Sequence, residues 1–233
     1  MKVTDCVKIR RAIISTYDKK GVADFADGLV KLNPELEIYS SSGTASELQK
    51  KVMRNVKEIS DYTKFPEMPS GLVKTLHPKI HAGILAEPGN EEQSAYMQMH
   101  GIKEFDLIVV NLYPFSVVSS DSSKTVEDAR RNMDIGGVSL IEAASKNFLR
   151  VAVITDPKDY SWVLAAIKKN NGCLDMKSRV QLAKKALKYL AGYVGSMSYY
   201  YERIPDNSIL KSYGVEKHEW EERLQERLRK DRG

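Results

Sequence analysis

Short, continuous apolar runs along the chain are separated by stretches whose apolar residues recur with a helical period. Continuous runs are typical of strands that are covered on both faces of a sheet. The runs predict strands at residues 12–15, 105–113 and 151–155, and two less apolar segments, residues 37–39 and 56–59, are also predicted to form strands. After the first run, one face of a predicted helix carries Val22, Phe25, Ala26, Leu29 and Val30. Strands that alternate with helices indicate an α/β fold with a mainly parallel sheet.

A long stretch between the third and fourth predicted strands interrupts this alternation. Prolines and glycines punctuate residues 62–85, so this stretch is predicted to form neither a helix nor a strand. It contains Lys74, Thr75, His77 and His81. Long irregular loops in compact domains are often functional. The stretch is therefore the first candidate for an active loop.

The histidines in this stretch do not predict a metal site. His77 and His81 have a spacing that would place both on one face of a helix. Pro78 lies between them, and no acidic residue or cysteine partner is near. Zinc sites need further ligands of this kind. We therefore expect no metal and a structural role for His81.

The composition of the chain is that of an ordinary globular protein. It has 233 residues, of which 42% are hydrophobic and 29% are charged, which allows one domain with a sizeable core. No apolar run approaches the roughly 20 residues of a membrane helix, and the N-terminus has no apolar signal region. Cys6 and Cys173 lack metal-like or redox-like spacing. They indicate two reduced thiols in a cytoplasmic protein.

The formal net charge of +5 leaves two classes of partner open. Lysine and arginine bind nucleic acid by releasing counterions from phosphates, and they also draw small anions into a positive cleft. The basic residues are spread among acidic ones, without an Arg-Gly repeat or a zinc-finger spacing. A small anionic substrate is therefore the favoured prediction, and neither nucleic acid nor a membrane is an expected partner.

The first two loops at the carboxyl ends of the predicted strands are rich in hydroxyl groups. Ligands of such sheets bind at this edge. One loop follows Ser15 and carries Lys19, and the other is the Ser-Ser-Ser-Gly-Thr sequence of residues 40–44. Hydroxyl groups at helix N-termini suit a phosphate monoester, because the N–H groups there are unpaired and carry partial positive charge. Serine and threonine are also ordinary turn formers and helix caps, so both interpretations stay open.

Two further candidates are expected at the same edge. Tyr113 ends the most apolar strand, and Asp134 precedes Gly136 and Gly137 at a break between helices. The tyrosine is either a half-buried core residue or part of a site. The aspartate is either a turn residue or part of a site. Taken singly, each residue favours its structural role.

Seven motifs, read in order, resemble one enzyme family between about Arg11 and Tyr200. They are Ile14-Ser15, Asp18-Lys19 and Gly21; Ser41, Gly43-Thr44-Ala45; Phe65-Pro66-Glu67-Met68; Val73-Lys74-Thr75-Leu76-His77-Pro78; Asn111-Leu112-Tyr113-Pro114-Phe115; Asp134-Ile135-Gly136-Gly137; and Ala143-Ala144-Ser145-Lys146-Asn147. Any single motif is weak, but their shared order and spacing are specific. On these motifs the chain resembles the IMP cyclohydrolase domain of the bifunctional purine-biosynthesis enzyme, inosinicase.

This resemblance implies both a fold and a reaction. The implied fold is a methylglyoxal-synthase-like three-layer sandwich with a mainly parallel sheet, in a homodimer. The implied reaction is the dehydrative ring closure of 5-formamidoimidazole-4-carboxamide ribotide (FAICAR) to IMP, the last step of de novo purine synthesis, without metal or cofactor. We expect the domain at residues 1–203 and a charged helical tail at 204–233. In the tail, Trp220, Leu224 and Leu228 form a narrow apolar seam, expected to dock on this subunit or on a neighbour.

By resemblance, four residues match catalytic positions of the family: Lys74, Tyr113, Asp134 and Lys146. Those that match substrate-contacting positions are Ser15, Lys19, Ser41, Gly43, Thr44, Thr75, Asn111, Ile135 and Gly136. In the ring closure a carboxamide nitrogen attacks a formyl carbon, so the nitrogen loses a proton while the formyl oxygen gains one. We expect Lys74 and Tyr113 to polarise and protonate this oxygen. Asp134, held by Lys146, is expected to accept hydrogen from the amide.

Three residues depart from the family pattern, all on the binding side. Tyr17 stands where the family usually has a serine, Ser42 where it has a glycine, and Leu72 where it has an arginine. Leucine cannot replace the planar charged donor of arginine, so the departures bear on phosphate binding and KM more than on the chemical step. The formyltransferase half of the family is also absent, so we expect a stand-alone cyclohydrolase whose formylated substrate another protein supplies.

Two other functions stay open. A methylglyoxal synthase or a regulatory module of the same superfamily would bind a phosphate-bearing metabolite without this reaction. It would not need Lys74, Tyr113, Asp134 and Lys146 in concert. A basic nucleic-acid-binding protein would instead show an affinity for duplexes that falls steeply with salt.

Overall fold

The apolar runs form a five-stranded parallel sheet in the computed structural model, which describes residues 3–66, 68, 72–121, 123–214, 226–228 and 230. The strands of the described residues are β1 (Val7–Lys8), β2 (Arg11–Thr16), β3 (Glu37–Ser40), β4 (Val56–Glu58), β5 (Leu107–Asn111), β6 (Ala152–Ile154) and β7 (Cys173–Leu174). The order across the sheet is β4-β3-β2-β5-β6, with neighbouring strands parallel. Strands β1 and β7 pair antiparallel in a separate ribbon. The predicted strands and the parallel sheet are confirmed.

Helices complete the predicted three-layer α/β sandwich. Those of the described residues are α1 (Val22–Leu32), α2 (Ser42–Val52), α3 (Ile59–Thr63), α4 (Pro78–Leu85), α5 (Glu91–Met99), α6 (Phe115–Ser120), α7 (Val126–Arg131), α8 (Ile135–Lys146), α9 (Tyr160–Lys169), α10 (Met176–Arg203) and α11 (Asp206–Ser212). Helices α1, α2 and α9 share the main hydrophobic core with Ile14, Ile38 and Val109 of the sheet. Helix α8 contacts β5, β6 and α4. Burying one such apolar side chain contributes about 1.5–3 kcal/mol, so this core fixes the strand ends.

The residues group into two compact units. One comprises Met1–Tyr113 and Asp134–Gly192 and contains the sheet. The other comprises Pro114–Met133 and Tyr193–Gly233. The division into functional domains at residue 203 stays a prediction, because compact units and functional domains need not coincide.

The second unit is built from short helices and aromatic contacts. A capping box of Thr125 and Asp128 starts α7, since each side chain accepts a hydrogen bond from the backbone N–H of the other. Phe115 and Tyr200 meet edge to face, with ring centroids 5.6 Å apart. After α11, the Tyr213 hydroxyl donates to a Glu127 carboxylate oxygen at 2.6 Å. These contacts give the unit its own packing.

Helix α11 is part of the predicted C-terminal helical extension. Of the predicted apolar seam in the tail, Trp220 and Leu224 lie outside the described residues, and Leu228 is exposed. Within the described ranges, no helix has the length and apolar character that a membrane crossing requires.

The stretch predicted to be irregular is helical in its second half. Helix α4 begins at Pro78, and His77 Nδ1 accepts a hydrogen bond from the Lys79 N–H at 3.1 Å. The prediction of an irregular loop through residue 85 is therefore wrong. Proline breaks a helix in its interior, but its fixed φ suits the first helical position. The turn at residues 72–75 precedes this helix.

Buried polar side chains fasten α4 to the parts of the chain around it. Arg150 donates to the carbonyl oxygens of Gly83 at 2.7 Å and Phe105 at 3.0 Å. Asn147 Nδ2 donates to the carbonyl oxygen of Ile84 at 2.7 Å. Leaving a buried polar group without a partner costs about 1–3 kcal/mol. These bonds therefore fix α4 and, with it, the turn that carries Lys74.

Candidate active site

The carboxyl edge of the sheet gathers the loops that carry most of the predicted site residues. Strands β2, β3 and β5 end at this edge, and the register pairs Thr16 of β2 with Asn111 of β5. Helix α8 leads into β6, which is parallel to β5. Because such a helix runs back across the sheet, its N-terminus lies at the carboxyl edge.

The two hydroxyl-rich loops are joined by hydrogen bonds. Ser15 Oγ lies 3.2 Å from Ser41 Oγ. Thr44 Oγ1 accepts from the Thr16 N–H and donates to the Thr16 carbonyl oxygen, both at 3.2 Å. Ser15, Ser41 and Thr44 are thus brought together, and Thr44 acts as a clamp between the loops.

The N-terminus of α2 is open at these hydroxyl groups. Its N-cap residue is Ser41, whose side chain makes no capping hydrogen bond. Among the described residues, the Gly43 N–H has no hydrogen-bond partner, and a Cβ placed on Gly43 would have no neighbour within 4 Å. Unpaired N–H groups at a helix start attract anions. The geometry therefore suits a phosphate group at Gly43.

Lys74 reaches the same helix N-terminus from the turn at residues 72–75. Its Nζ donates to Ser42 Oγ at 3.4 Å. Lys74 also lines a cavity of about 280 Å³ with Phe65 and His77. The ammonium group thus adds a full positive charge next to the partial charge of α2. Ser42, which the sequence marks only as a departure, proves to be a contact of the candidate catalytic lysine.

Thr75 packs directly on the backbone of α8. A Cβ on Gly136 would lie 2.7 Å from Thr75 Oγ1, and one on Gly137 would lie 2.5 Å from Leu112 Cδ2. Both distances are below 3.0 Å, so a side chain at either position would force its neighbour to shift. The glycine pair therefore brings the turn at residues 72–75 and the strand end before Tyr113 onto the start of α8.

Asp134 is the N-cap of α8 and is largely buried. Its Oδ1 accepts a hydrogen bond from the Gly137 N–H at 2.7 Å. Burial raises the pKa of the Asp134 carboxyl, and this hydrogen bond opposes the rise. A carboxyl with a raised pKa exchanges a proton more readily near neutral pH. Such shifts are common in functional sites.

Tyr113 lies half-buried just beyond β5, with its ring against Tyr17. The two ring centroids are 4.5 Å apart and the rings are inclined by 70°. The sequence shows Tyr17 only as a departure from the family pattern and does not predict this contact. Two other predicted contacts stand out toward solvent: Lys19 before α1 and Ile135, 56% exposed, at the start of α8.

Asn111 holds a loop in this structure. Its Oδ1 accepts from the Asp18 N–H at 2.8 Å, and its Nδ2 donates to the Asp18 carbonyl oxygen at 2.9 Å. Both ends of the side chain amide are thus engaged by one backbone segment. Asn111 shapes the loop that carries Lys19, and a direct contact with substrate stays a prediction.

Lys146 does not join Asp134 within one chain. Asp134 precedes α8 and Lys146 ends it, so about 18 Å of helix separates the two at 1.5 Å per residue. No ion pair connects them in the described part of the chain. Within one chain the expectation that Lys146 holds Asp134 is therefore not met, because α8 carries its two ends to opposite edges of the sheet. A contact between Asp134 and Lys146 of a second copy stays a prediction.

His81 of α4 contacts the turn at residues 72–75. Burial lowers the pKa of His81, and a hydrogen bond with the backbone of Thr75 opposes this. Across residues 3–66, 68, 72–121, 123–214, 226–228 and 230, no group of three or more His, Cys, Asp or Glu side chains is placed to hold a metal ion. The imidazole is therefore tied to the backbone of Thr75, the residue next to Lys74.

Comparison with known proteins defines the class to which this fold and site belong. Residues 21–139 match the MGS-like domain family, and residues 144–230 match the AICARFT/IMPCHase bienzyme family. The chain belongs to the MGS-like domain family.

The curated relatives that resemble this chain are purine-biosynthesis proteins named PurH. The bifunctional purine biosynthesis protein PurH of Neisseria meningitidis (strain Z2491) is 45% identical over 201 residues, which cover 86% of this chain and 37% of the relative. That of Xanthomonas campestris (strain 8004) is 42% identical over 205 residues, covering 88% and 38%. The chain spans little more than a third of the length of these relatives.

A solved structure supports the same fold. The crystal structure of ForH aligns with a TM-score of 0.69 at 27% identity, and the alignment covers 82% of this chain and 98% of that one. The predicted MGS-like three-layer sandwich is therefore confirmed.

Proposed function

We propose that the chain is an IMP cyclohydrolase, which closes the ring of FAICAR to form IMP. One observation carries the proposal: the Thr75 contact on Gly136 joins the turn of Lys74 to the α8 N-terminus of Asp134. Tyr113 follows Leu112, which packs on the same glycine pair. An acid, a base and a cation thus share one edge of the sheet, as a dehydrative ring closure requires.

The phosphate of the ribotide binds at the N-terminus of α2 in this proposal. Ser15 and Ser41 supply hydroxyl groups, and the Gly43 N–H supplies a backbone donor. The helix dipole adds partial positive charge at this point. Lys19 supplies a full charge from the adjacent loop. The phosphate therefore serves as an anchor that sets where the base lies.

Ring closure then takes place between the anchor and α8. The carboxamide nitrogen forms a bond to the formyl carbon, and the formyl oxygen becomes a hydroxyl group that leaves as water. The two hydrogens of that water come from the carboxamide nitrogen and the formamide nitrogen. Asp134 takes up a proton on the nitrogen side, and Lys74 and Tyr113 stabilise and protonate the oxygen.

Orientation supplies a further part of the rate. Both reacting groups belong to one bound molecule, so the site has to select a single rotamer. Neither step requires a metal ion, a redox group or an acyl carrier. The proposed enzyme therefore needs only its nucleotide substrate.

Ultraviolet absorbance tests the proposal directly. Purified protein is incubated with synthetic FAICAR, and the spectrum of IMP is followed against a protein-free control. Catalysed IMP formation supports the proposal. A rate no higher than the protein-free control, with ribotide binding retained in calorimetry, would leave a binding module.

A second candidate is such a module, which binds a phosphate-bearing metabolite without cyclisation. Two observations favour it. Leu72, in the place of the family arginine, is 62% exposed, and Lys146 lies away from Asp134. The FAICAR assay separates the two functions, because only the enzyme converts the ligand.

Homodimerisation and a cytoplasmic location complete the proposal. Two exposed apolar side chains in the part of α10 that belongs to the second unit, Val194 and Tyr199, support a contact with a second copy. Sedimentation of the purified protein tests this. A single species at the mass of one chain across the micromolar range would contradict the dimer.

A further inference from the structure

Tyr17 contacts the candidate proton donor without belonging to the core. It is 51% exposed, and its ring meets the ring of Tyr113 edge to face. The centroid distance of 4.5 Å lies at the short end of the range in which aromatic pairs attract. The contact is therefore a packed pair, placed where the two loops leave β2 and β5.

The backbone on both sides of this pair is held in place. The Asn111 side chain brackets the peptide of Asp18, and the Tyr17 N–H donates to the Asn111 carbonyl oxygen at 3.4 Å. On the other side, the Leu112 N–H donates to the Tyr189 hydroxyl at 3.0 Å. The strand ends thus present the two rings to each other at a fixed separation.

The ring of Tyr113 lacks such an anchor of its own. Across the described part of the chain, its hydroxyl group has no hydrogen-bond partner. The orientation of the ring therefore depends on what its faces and edges contact. Tyr17 is the aromatic neighbour that meets it.

We propose that Tyr17 is a positioning residue that holds the Tyr113 ring where its hydroxyl can protonate the formyl oxygen. This role rests on the cyclohydrolase function proposed above. The ring of Tyr17 orients the ring of Tyr113, and the Tyr17 hydroxyl is not required for this. A ring pair of this kind favours the packed arrangement by about 2- to 10-fold. Loss of the ring should therefore lower kcat by a similar factor and leave KM within about 2-fold of the wild type.

Three substitutions at this position separate the ring from the hydroxyl. Tyr17→Ala and Tyr17→Leu remove the ring, and Tyr17→Phe keeps it. The matched control is Tyr96→Ala, which removes a tyrosine that is 55% exposed and packs on His100 with centroids 4.3 Å apart. Steady-state kinetics with FAICAR are measured for each variant, and circular dichroism checks that each is folded. We expect lower kcat in the two ringless variants and wild-type values for Tyr17→Phe and Tyr96→Ala.

A double-mutant cycle shows whether Tyr17 acts through Tyr113. In a Tyr113→Phe background, Tyr17→Ala should have no further effect on kcat, because there is no hydroxyl left to position. An additive loss overturns the positioning role. An equal loss in Tyr17→Phe and Tyr17→Ala also overturns it, since the hydroxyl would then contact substrate.

The result for the wild-type protein distinguishes this inference from the function on which it rests. A wild-type protein that forms no IMP overturns both. An active wild-type protein with unchanged kcat in the ringless variants overturns only the role of Tyr17.

Discussion

The close approach of Thr75 to α8 predicts that Gly136→Ala harms catalysis more than stability. The added Cβ would lie 2.7 Å from Thr75 Oγ1, whereas ordinary contact begins at 3.4 Å. Thr75 is only 5% exposed, so its surroundings resist the shift of several tenths of an ångström that is needed. A misplacement of about 1 Å in a site can cost about 10²-fold in rate. We therefore expect kcat/KM to fall about 10- to 100-fold.

The effect of the same substitution on stability is small because two contributions oppose each other. Alanine is favoured over glycine in a helix by about 1 kcal/mol. Overpacking of this kind costs about 1–3 kcal/mol. The net loss is at most about 2 kcal/mol, which in a chain of this size lowers Tm by up to about 8 °C. The variant should therefore stay folded at the temperature of the assay.

Gly192→Ala on α10 is the matched control. A Cβ there would have no described neighbour within 4 Å, so only the gain in helix propensity remains. Both variants are compared by urea unfolding and by steady-state kinetics with FAICAR. Wild-type kcat/KM in a folded Gly136→Ala protein would refute the reasoning. An equal loss in Gly192→Ala would do the same.

Three further predictions concern the charged candidates. Asp134→Asn keeps an acceptor for the Gly137 N–H. Its kcat should nevertheless fall about 10²–10⁴-fold. In thermal melts at pH 7 the variant should be more stable than the wild type. Burial raises the folded-state pKa of Asp134. The wild-type protein therefore loses stability as pH rises from the unfolded-state pKa to the folded-state pKa of this carboxyl. Below about pH 3.9 the carboxyl is protonated in both states, so the stability advantage of the asparagine variant should vanish. Lys74→Ala should lower kcat about 10²–10⁴-fold in the IMP assay with little change in Tm. If Lys146 takes part in catalysis, it has to come from a second copy, and a mixture of Lys74→Ala and Lys146→Ala subunits should then regain activity.

Each of these predictions has an outcome that contradicts it. Near-wild-type kcat in both Lys74→Ala and Asp134→Asn would refute the division of roles. Equal melts of wild type and Asp134→Asn at pH 7 would refute the cost of the buried charge. An inactive Lys146→Ala protein that no mixture restores would contradict the placement of this residue at the far edge.

The sequence predicts an element of the fold correctly where its local pattern of apolar residues matches its burial in the folded chain. Strand β5 has only buried residues, and its continuous apolarity is what a strand covered on both faces requires. Helix α4 is the counterexample. The sequence favours an interpretation of Pro78 as a helix breaker, but a proline in the first turn lacks only an N–H donor that would have no partner there. The effect of Pro78 depends on where the helix begins, and the periodicity of apolar residues does not locate that boundary.

The motifs predict which residues form the candidate site, but they do not predict the contacts between these residues. The order of motifs marks Lys74, Asp134 and the glycines as candidates, because each residue type suits the proposed chemistry. No pattern showed that Asn111 brackets the Asp18 peptide or that Tyr17 meets Tyr113. Such contacts depend on the register between β2 and β5, and register is set by long-range pairing that single positions do not encode.

Lys146 shows the limit of transferring a residue by its motif. The motif predicts a lysine amino group in the site, whereas the length and direction of α8 determine the edge of the sheet at which this group lies. In one chain the carboxyl edge carries Lys74, Tyr113 and Asp134, which are the candidates for the proton movements and for the developing charge of the proposed ring closure. Because the reacting groups share one molecule, orientation can supply much of the rate that a fourth group would add. Lys146 is therefore required only if a second copy carries it to this edge, and the subunit mixture distinguishes that arrangement from a site of three.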